Sequence, residues 1–196
     1  MTAYVVDAGG QRWTLPDPTA WRLEYTSGTP CDSFWLRCLW DRENTARPDS
    51  WVEFFAEHEG ERVFTGLVDE CEAAAGPGGR LLEISGRGMA ARLLDNEALG
   101  QDYQSATQAD ILRDHVLPYG VSAAPGGQLP PVSQFSVTTG SSEWSVVYDF
   151  ARYHGGVAPR FDRQGRLVLS GWNDSQERVV DDSTPVLSLV RRDRRY

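Results

Sequence analysis

The stretch that decides the fold is residues 84–95, Ile84-Ser85-Gly86-Arg87-Gly88-Met89-Ala90-Ala91-Arg92-Leu93-Leu94-Asp95. An apolar run with Leu81, Leu82 and Ile84 leads into Gly86-x-Gly88-x-x-Ala91, and helix-forming residues follow. Such a pattern is either a phosphate cradle or a strand turning into a helix. A dinucleotide cradle needs a βαβ unit, a helix N-terminus facing the pyrophosphate and an acidic residue about 20 positions on. Here the strand before Gly86 reads as the second arm of a hairpin, because Gly76-Pro77-Gly78-Gly79 precedes it. After Leu94 come Asp95-Asn96-Glu97 and a second helical pattern, and Asp110 falls in the first turn of that helix. No Gly-Lys-Ser/Thr follows the glycines. The reading is therefore a junction. Gly86 and Gly88 are expected to let the strand turn sharply, one of them at positive φ, while Met89, Leu93 and Leu94 anchor the helix.

Upstream, residues 4–6 and 11–15 flank Ala8-Gly9-Gly10, and residues 51–55 and 62–68 flank His58-Glu59-Gly60-Glu61. Residues 69–75 and 80–85 flank the third turn, and residues 33–40 form an apolar strand pattern. Short strands with turn signals between them predict a barrel or sandwich.

Downstream the pattern changes. Thr107-Gln108-Ala109-Asp110 is a variant capping box, and Ile111, Leu112 and Val116 recur at helical spacing until Pro118 and Gly120. Residues 121–132 read as an exposed loop and residues 134–138 as a strand. Ser141 or Ser142 caps a helix whose apolar stripe is Trp144, Val147, Tyr148 and Ala151, widened by Phe150 and Tyr153. Gly155-Gly156 ends it, and residues 157–161 and 166–170 flank the turn Asp162-Arg163-Gln164-Gly165. Residues 177–180 and 185–190 read as strands. The fold class expected is α+β, mainly β: an N-terminal β-barrel over 1–96, a small inserted α+β domain over 97–172, and returning strands over 173–196.

The chain of 196 residues carries a net charge of −9 and is 40% hydrophobic. The acidic balance argues against a nucleic-acid binder and against docking on an anionic membrane. No apolar run is long enough to span a bilayer, and the N-terminus lacks a signal-peptide pattern, so synthesis in the cytoplasm and no membrane insertion by this chain are expected.

The candidate chemistry is thin. Cys31, Cys38 and Cys71 show no CxxC spacing and read as reduced thiols. His58, His115 and His154 are not spaced for metal ligation. Gly-x-Ser-x-Gly is absent. Glu57, Glu59, Asp69 and Glu70 lie beside hairpin turns, where carboxylates are usually solvated. Trp35, Trp40, Trp51 and Trp144 fall in core-like patterns. No catalytic, cofactor-binding or metal-binding residue is assigned, and no cofactor is expected.

Three segments in order, LLEISGRGMAARLLDNEA, DYQSATQADILRDHVLPYGV and SSEWSVVYDFARYHGGVAPRFDRQGRLVLSGW, resemble the baseplate hub proteins of phage tails, the broad late-control D family, which includes hubs of prophage-derived tail particles. Residues 81–172 carry the likeness; residues 1–80 share mainly strand order. The resemblance implies a homotrimer whose tail-tube-like barrels form a pseudo-hexameric ring. That ring joins tail tube subunits to a spike or lysin-bearing tip protein in the virion tail, with DNA only as transient cargo in its lumen and no enzymatic activity. Family members usually continue beyond this point to complete a second barrel. The alternatives are a glycan-binding module using exposed tryptophans, and a cell-wall hydrolase using a carboxylate pair.

Overall fold

A computed structural model describes residues 1–26, 31–40, 48–77 and 79–171. The expected strands over 177–180 and 185–190 lie outside these residues. Seven strands form one sheet in the order β2-β1-β5-β6-β7-β4-β3, with every neighbouring pair antiparallel. They are β1 (Thr2–Asp7), β2 (Arg12–Thr14), β3 (Pro18–Glu24), β4 (Ser33–Leu39), β5 (Trp51–His58), β6 (Glu61–Gly76) and β7 (Gly79–Gly88). The three hairpins stand at the turns read from the sequence. The β5–β6 turn places Glu59 at φ 52° and Gly60 at φ 81°, both left-handed, as a tight two-residue hairpin turn requires.

Two expected strands, 62–68 and 69–75, are one strand of 16 residues, β6, interrupted only by a register shift between Val68 and Glu70. A bulge of this kind bends a strand without ending it. One strand of this sheet, β3, is absent from the sequence reading.

Directly opposed residues of paired strands put their side chains on one face. Val5, Phe54 and Gly66 are opposed in turn across β1, β5 and β6, and Phe34 opposes Gly86. This face is apolar: Val5, Phe34, Leu36, Phe54, Phe64, Leu82 and Ile84 are all buried. The sheet curls around it. Phe34 of β4 stacks on Phe54 of β5 with ring centroids 3.8 Å apart, although two strands separate them in the sheet. Trp40 and Trp51 also meet edge to face, 5.8 Å apart. Each large side chain buried this way contributes roughly 1.5–3 kcal/mol. Among the described residues the curl stops short of a barrel: no hydrogen-bonded pairing joins β2 to β3, so both remain edges. Closure demands complementary edges, and β2 is only three residues long whereas β3 is seven.

The second core follows. A short helix α1 (Ala91–Leu94) leaves the sheet, and β8 (Gln101–Ala106) pairs antiparallel with β9 (Val132–Val137). Helices α2 (Gln108–His115) and α3 (Glu143–Tyr148) pack on them, and α3 continues as a wider π-type turn over Asp149–His154. The expected capping box is present in both directions: the Thr107 hydroxyl accepts from the Asp110 N–H, and the Asp110 carboxylate accepts from the Thr107 N–H. Ser142, not Ser141, caps α3. Leu93, Ile111, Val116, Val147, Phe150 and Leu167 form the buried centre. A small hairpin, β10 (Arg160–Phe161) with β11 (Leu167–Val168), closes the unit. The loop over 121–132, expected to be exposed, buries Val121 and Leu129 against this core. Its Pro and Gly content marks irregular backbone, not surface position.

Candidate functional site

The junction stretch is the first candidate. β7 runs straight through Gly86 to Gly88, and neither residue has positive φ. The expectation of a sharp turn at these glycines is therefore corrected. What they provide is closeness. A Cβ on Gly86 would stand 1.9 Å from the Leu67 carbonyl oxygen and 2.7 Å from the Phe34 ring. On Gly88 it would meet the Asp32 side chain at 3.2 Å. The chain turns instead at Met89-Ala90, and α1 has only four residues. The next strand, β8, joins a different sheet in an antiparallel pair, so no βαβ unit surrounds the glycines.

Two arginines of the stretch organise the junction. Arg87 donates from Nε and Nη2 to the Asp69 carboxylate at 2.8 and 3.0 Å, and from Nη1 and Nη2 to Asp95 at 2.9 and 2.7 Å. One planar guanidinium thus fastens the β6 bulge to the end of α1. Hydrogen bonding to Arg87 holds the Asp95 carboxyl below the usual carboxylate range. Arg92 reaches back to Glu53 of β5 at 2.5 Å and also donates to the Tyr119 carbonyl at 3.1 Å. Thr65 of β6 donates to the Arg163 carbonyl in the β10–β11 turn at 2.9 Å. Gly165 of that turn packs so closely that a Cβ would meet Met89 at 2.6 Å and Thr65 at 2.9 Å.

The second candidate was not legible in the sequence. His115, the last residue of α2, and Glu143, the first of α3, are each 3% exposed. His115 Nδ1 lies 2.6 Å from Glu143 Oε2, and Nε2 lies 3.0 Å from the Tyr103 hydroxyl. Tyr103 also donates to Asp114 at 2.9 Å, and Tyr119 donates to the other Glu143 oxygen. Burial, with Asp114 beside it, raises the Tyr103 phenol, and the bond to Glu143 pushes the Tyr119 phenol up to about 12. The two helix dipoles favour a negative Glu143 at an N-terminus and a positive His115 at a C-terminus. Both ring nitrogens of His115 and both carboxylate oxygens of Glu143 are engaged within the cluster, while Asp114 is also held from outside it by Arg113. This is a polar tie between β8, α2 and α3.

The remaining residues do not converge. Glu57 pairs with Arg62 at 3.3 Å, Asp69 is held by Arg87, and Glu59 lies 4.0 Å from His58 on the exposed β5–β6 turn. His154 packs on Phe135. Cys38 is buried, and Cys31 and Cys71 are half-buried; burial pushes all three thiols up to about 11. Among the described residues no cluster of three His, Cys, Asp or Glu is arranged to hold a metal ion. Trp51 and Trp144 are buried, and Trp35 donates to Glu83 at 3.0 Å, so these tryptophans form no open stacking platform. Among the described residues, the large apolar side chains more than half exposed are Trp21, Tyr25, Leu39, Leu99, Leu117 and Tyr153.

No protein-family model and no curated protein sequence matches the chain. Solved structures do. The tail protein from Neisseria meningitidis MC58 superposes with a TM-score of 0.67 at 20% identity, over 94% of this chain and 56% of that one. The 43 kDa tail protein of prophage MuSo2 from Shewanella oneidensis gives 0.62 at 19% identity, over 86% and 54%. The prophage tail protein gp18 from Listeria monocytogenes EGD-e gives 0.56 at 14% identity, over 86% and 50%. The chain spans about half the length of each of these proteins, and it shares their fold.

Proposed function

We propose that this chain is a structural component of a phage tail or phage-tail-like particle, acting as a baseplate hub that joins the tail tube to the central spike or tip. The observation that carries the reading is the order of parts: a curled seven-stranded sheet, the β7–α1 junction, then a helix-capped second core, matched in one superposition over 94% of the chain. The function is architectural, and no residue is assigned a catalytic role. The edges β2 and β3 are the surfaces offered to neighbouring subunits, because an unpaired strand edge is a template for pairing with another chain. Trp21 of β3 and Tyr25 just beyond it, each about half exposed, add aromatic anchors beside that edge. The tube-like barrel and the homotrimer belong to this proposal: closure is completed by association, and three copies form a pseudo-hexameric ring. The net charge of −9 suits a conduit that does not hold DNA passing through it.

The test is native mass spectrometry of the purified chain, followed by immunogold electron microscopy of assembled particles. A trimer located at the tail tip is expected. Particles carrying the chain elsewhere, or a chain with no affinity for tube or spike subunits, would overturn the proposal.

A further inference from the structure

The chemistry of the His115–Glu143 tie follows from counting protons. A phenol has one proton to give, a carboxylate has none, and a ring nitrogen either donates or accepts. Tyr103 gives its proton to Asp114 Oδ2 at 2.9 Å. Asp114 is a true acceptor: Arg113 donates to both of its oxygens, at 2.7 Å each, and holds its carboxyl below the usual carboxylate range. The Tyr103 oxygen, 3.0 Å from His115 Nε2, has only lone pairs left for the ring, so Nε2 carries a hydrogen. Tyr119 gives its proton to Glu143 Oε1. Between Nδ1 and Oε2, 2.6 Å apart, a second proton is required, since two bare lone pairs at that distance repel.

The surroundings decide which side holds that second proton. Glu143 opens α3 and His115 closes α2, so the helix ends favour an anion at the first and a cation at the second. β8 contributes only the Tyr103 phenol, raised by burial and by Asp114. α2 contributes Asp110, Arg113 and Asp114, which bond among themselves. The turn after α2 contributes Tyr119, whose phenol the bond to Glu143 pushes up to about 12. From α1, Arg92 reaches the Tyr119 carbonyl and not the carboxylate. β9 contributes the apolar Phe135, with the exposed His154 packed on it. Among the described residues, His115 is the one basic side chain within ion-pair distance of Glu143.

We propose that His115 is held as an imidazolium, donating from Nδ1 to an ionised Glu143 and from Nε2 to Tyr103, and that this pair is a proton-operated latch on the corner between α2 and α3. The latch is complete at one proton count. With the proton removed, two lone pairs face each other inside a closed core. With one added to Glu143, the imidazolium is buried without its counter-charge. Either change is costly away from water. Three backbone bonds lie at the same corner: Glu143 N–H to the Asn96 carbonyl at 2.9 Å, Ala98 N–H to the Ser141 carbonyl at 2.8 Å, and Val116 N–H to the Leu112 carbonyl at 3.3 Å. The proposal is independent of the tail reading, because it concerns the purified chain whether or not it forms rings.

The test uses the full chain labelled with nitrogen-15. Long-range proton–nitrogen correlations of the histidine rings are recorded near neutral pH, and His58→Gln and His154→Gln, both at exposed positions, identify the His115 signals. Both His115 nitrogens should bear protons. Glu143→Gln is the informative variant. Its carboxamide keeps the shape, accepts from Tyr119 and donates to Nδ1, so the ring should become neutral with its hydrogen on Nε2 alone. A parent ring with one bare nitrogen would overturn the proposal, even where the variant does not fold, and so would a folded Glu143→Gln chain whose ring is still doubly protonated. The latch is read by hydrogen exchange, corrected for intrinsic rate, at the amides of Ala98, Val116 and Glu143. Stabilisation carried by a bound proton is lost as pH rises, and the Tyr119 phenol keeps its proton while pH stays well below about 12. Over that rise the parent should lose at least about tenfold in protection at the three amides relative to Ile84 in β7, whereas Glu143→Gln keeps its protection. Protection that does not fall in the parent, or that falls equally in the variant, would overturn the latch.

Discussion

Gly86 offers the sharpest test of how the sheet is built. Its φ is ordinary, so the argument for glycine rests wholly on space. Replacing it by Ala puts a methyl carbon 1.9 Å from the Leu67 carbonyl oxygen, 2.7 Å from Phe34 Cε1 and 3.0 Å from the Asp69 backbone N. Two of the three obstacles are backbone, in the strand segment where the β6 register shifts, and cannot swing aside like the end of a side chain. Overpacking by one methyl ordinarily costs about 1–3 kcal/mol. A contact that requires β6 to move places Gly86→Ala at the upper end of that range, near ~3 kcal/mol. For a protein of this size that is a fall in melting temperature of about 6–12 °C. Gly76 is the internal control. It lies at the far end of the same hairpin, where a Cβ would meet nothing within 4 Å, and its φ is not positive. Gly76→Ala should be neutral or stabilising by up to ~1 kcal/mol through the unfolded chain. Both variants are measured by urea unfolding followed through tryptophan fluorescence and circular dichroism. A Gly86→Ala protein within ~0.5 kcal/mol of the parent, the range of an ordinary surface substitution, or one indistinguishable from Gly76→Ala, would refute the close-approach account.

Three further outcomes are expected. Glu143→Ala leaves His115 buried without its partner and should cost about 3–5 kcal/mol; a double-mutant cycle with His115→Ala, read by chemical denaturation, should show strong coupling, and additive costs would dissolve the pair. Thr107→Ala removes the α2 cap and should cost ~1 kcal/mol, with exchange rising first at the amides of residues 108–111. The pH dependence follows from Asp114, held low chiefly by Arg113 and also by Tyr103, and from Asp95, held low by Arg87. Their folded values lie below the unfolded value near ~3.9, so their stabilisation is present above that value and lost as pH falls through the folded ones. Stability should therefore decline below about pH 4; Asp114→Asn should flatten the acid limb, and an unchanged slope would exclude this carboxylate as a contributor.

Much of the fold was legible because its signals are local. Three hairpin turns, the Thr107–Asp110 box and the Ser142 cap each involve residues no more than a few positions apart. β3 was missed because an edge strand starting at Pro18 and carrying Trp21 outward lacks a buried alternation. β8 was missed because Gln101–Ala106 buries only Tyr103 and Ala106; its strand character comes from pairing with β9, far along the chain. The His115–Glu143 tie was invisible for the same reason, since it joins the end of one helix to the start of another. Gly86 shows the remaining gap: sequence announces a glycine, but only the neighbouring strands reveal whether it is there for its dihedral angle or for its lack of a side chain.

The Arg87 clamp also determines what loosens the molecule. Both cores are held by apolar burial, which an excluded salt such as sulfate strengthens, whereas the corner between them is fastened by a partly exposed guanidinium and two carboxylates, which the same salt screens. Sulfate therefore acts in opposite senses on the bodies and on their corner.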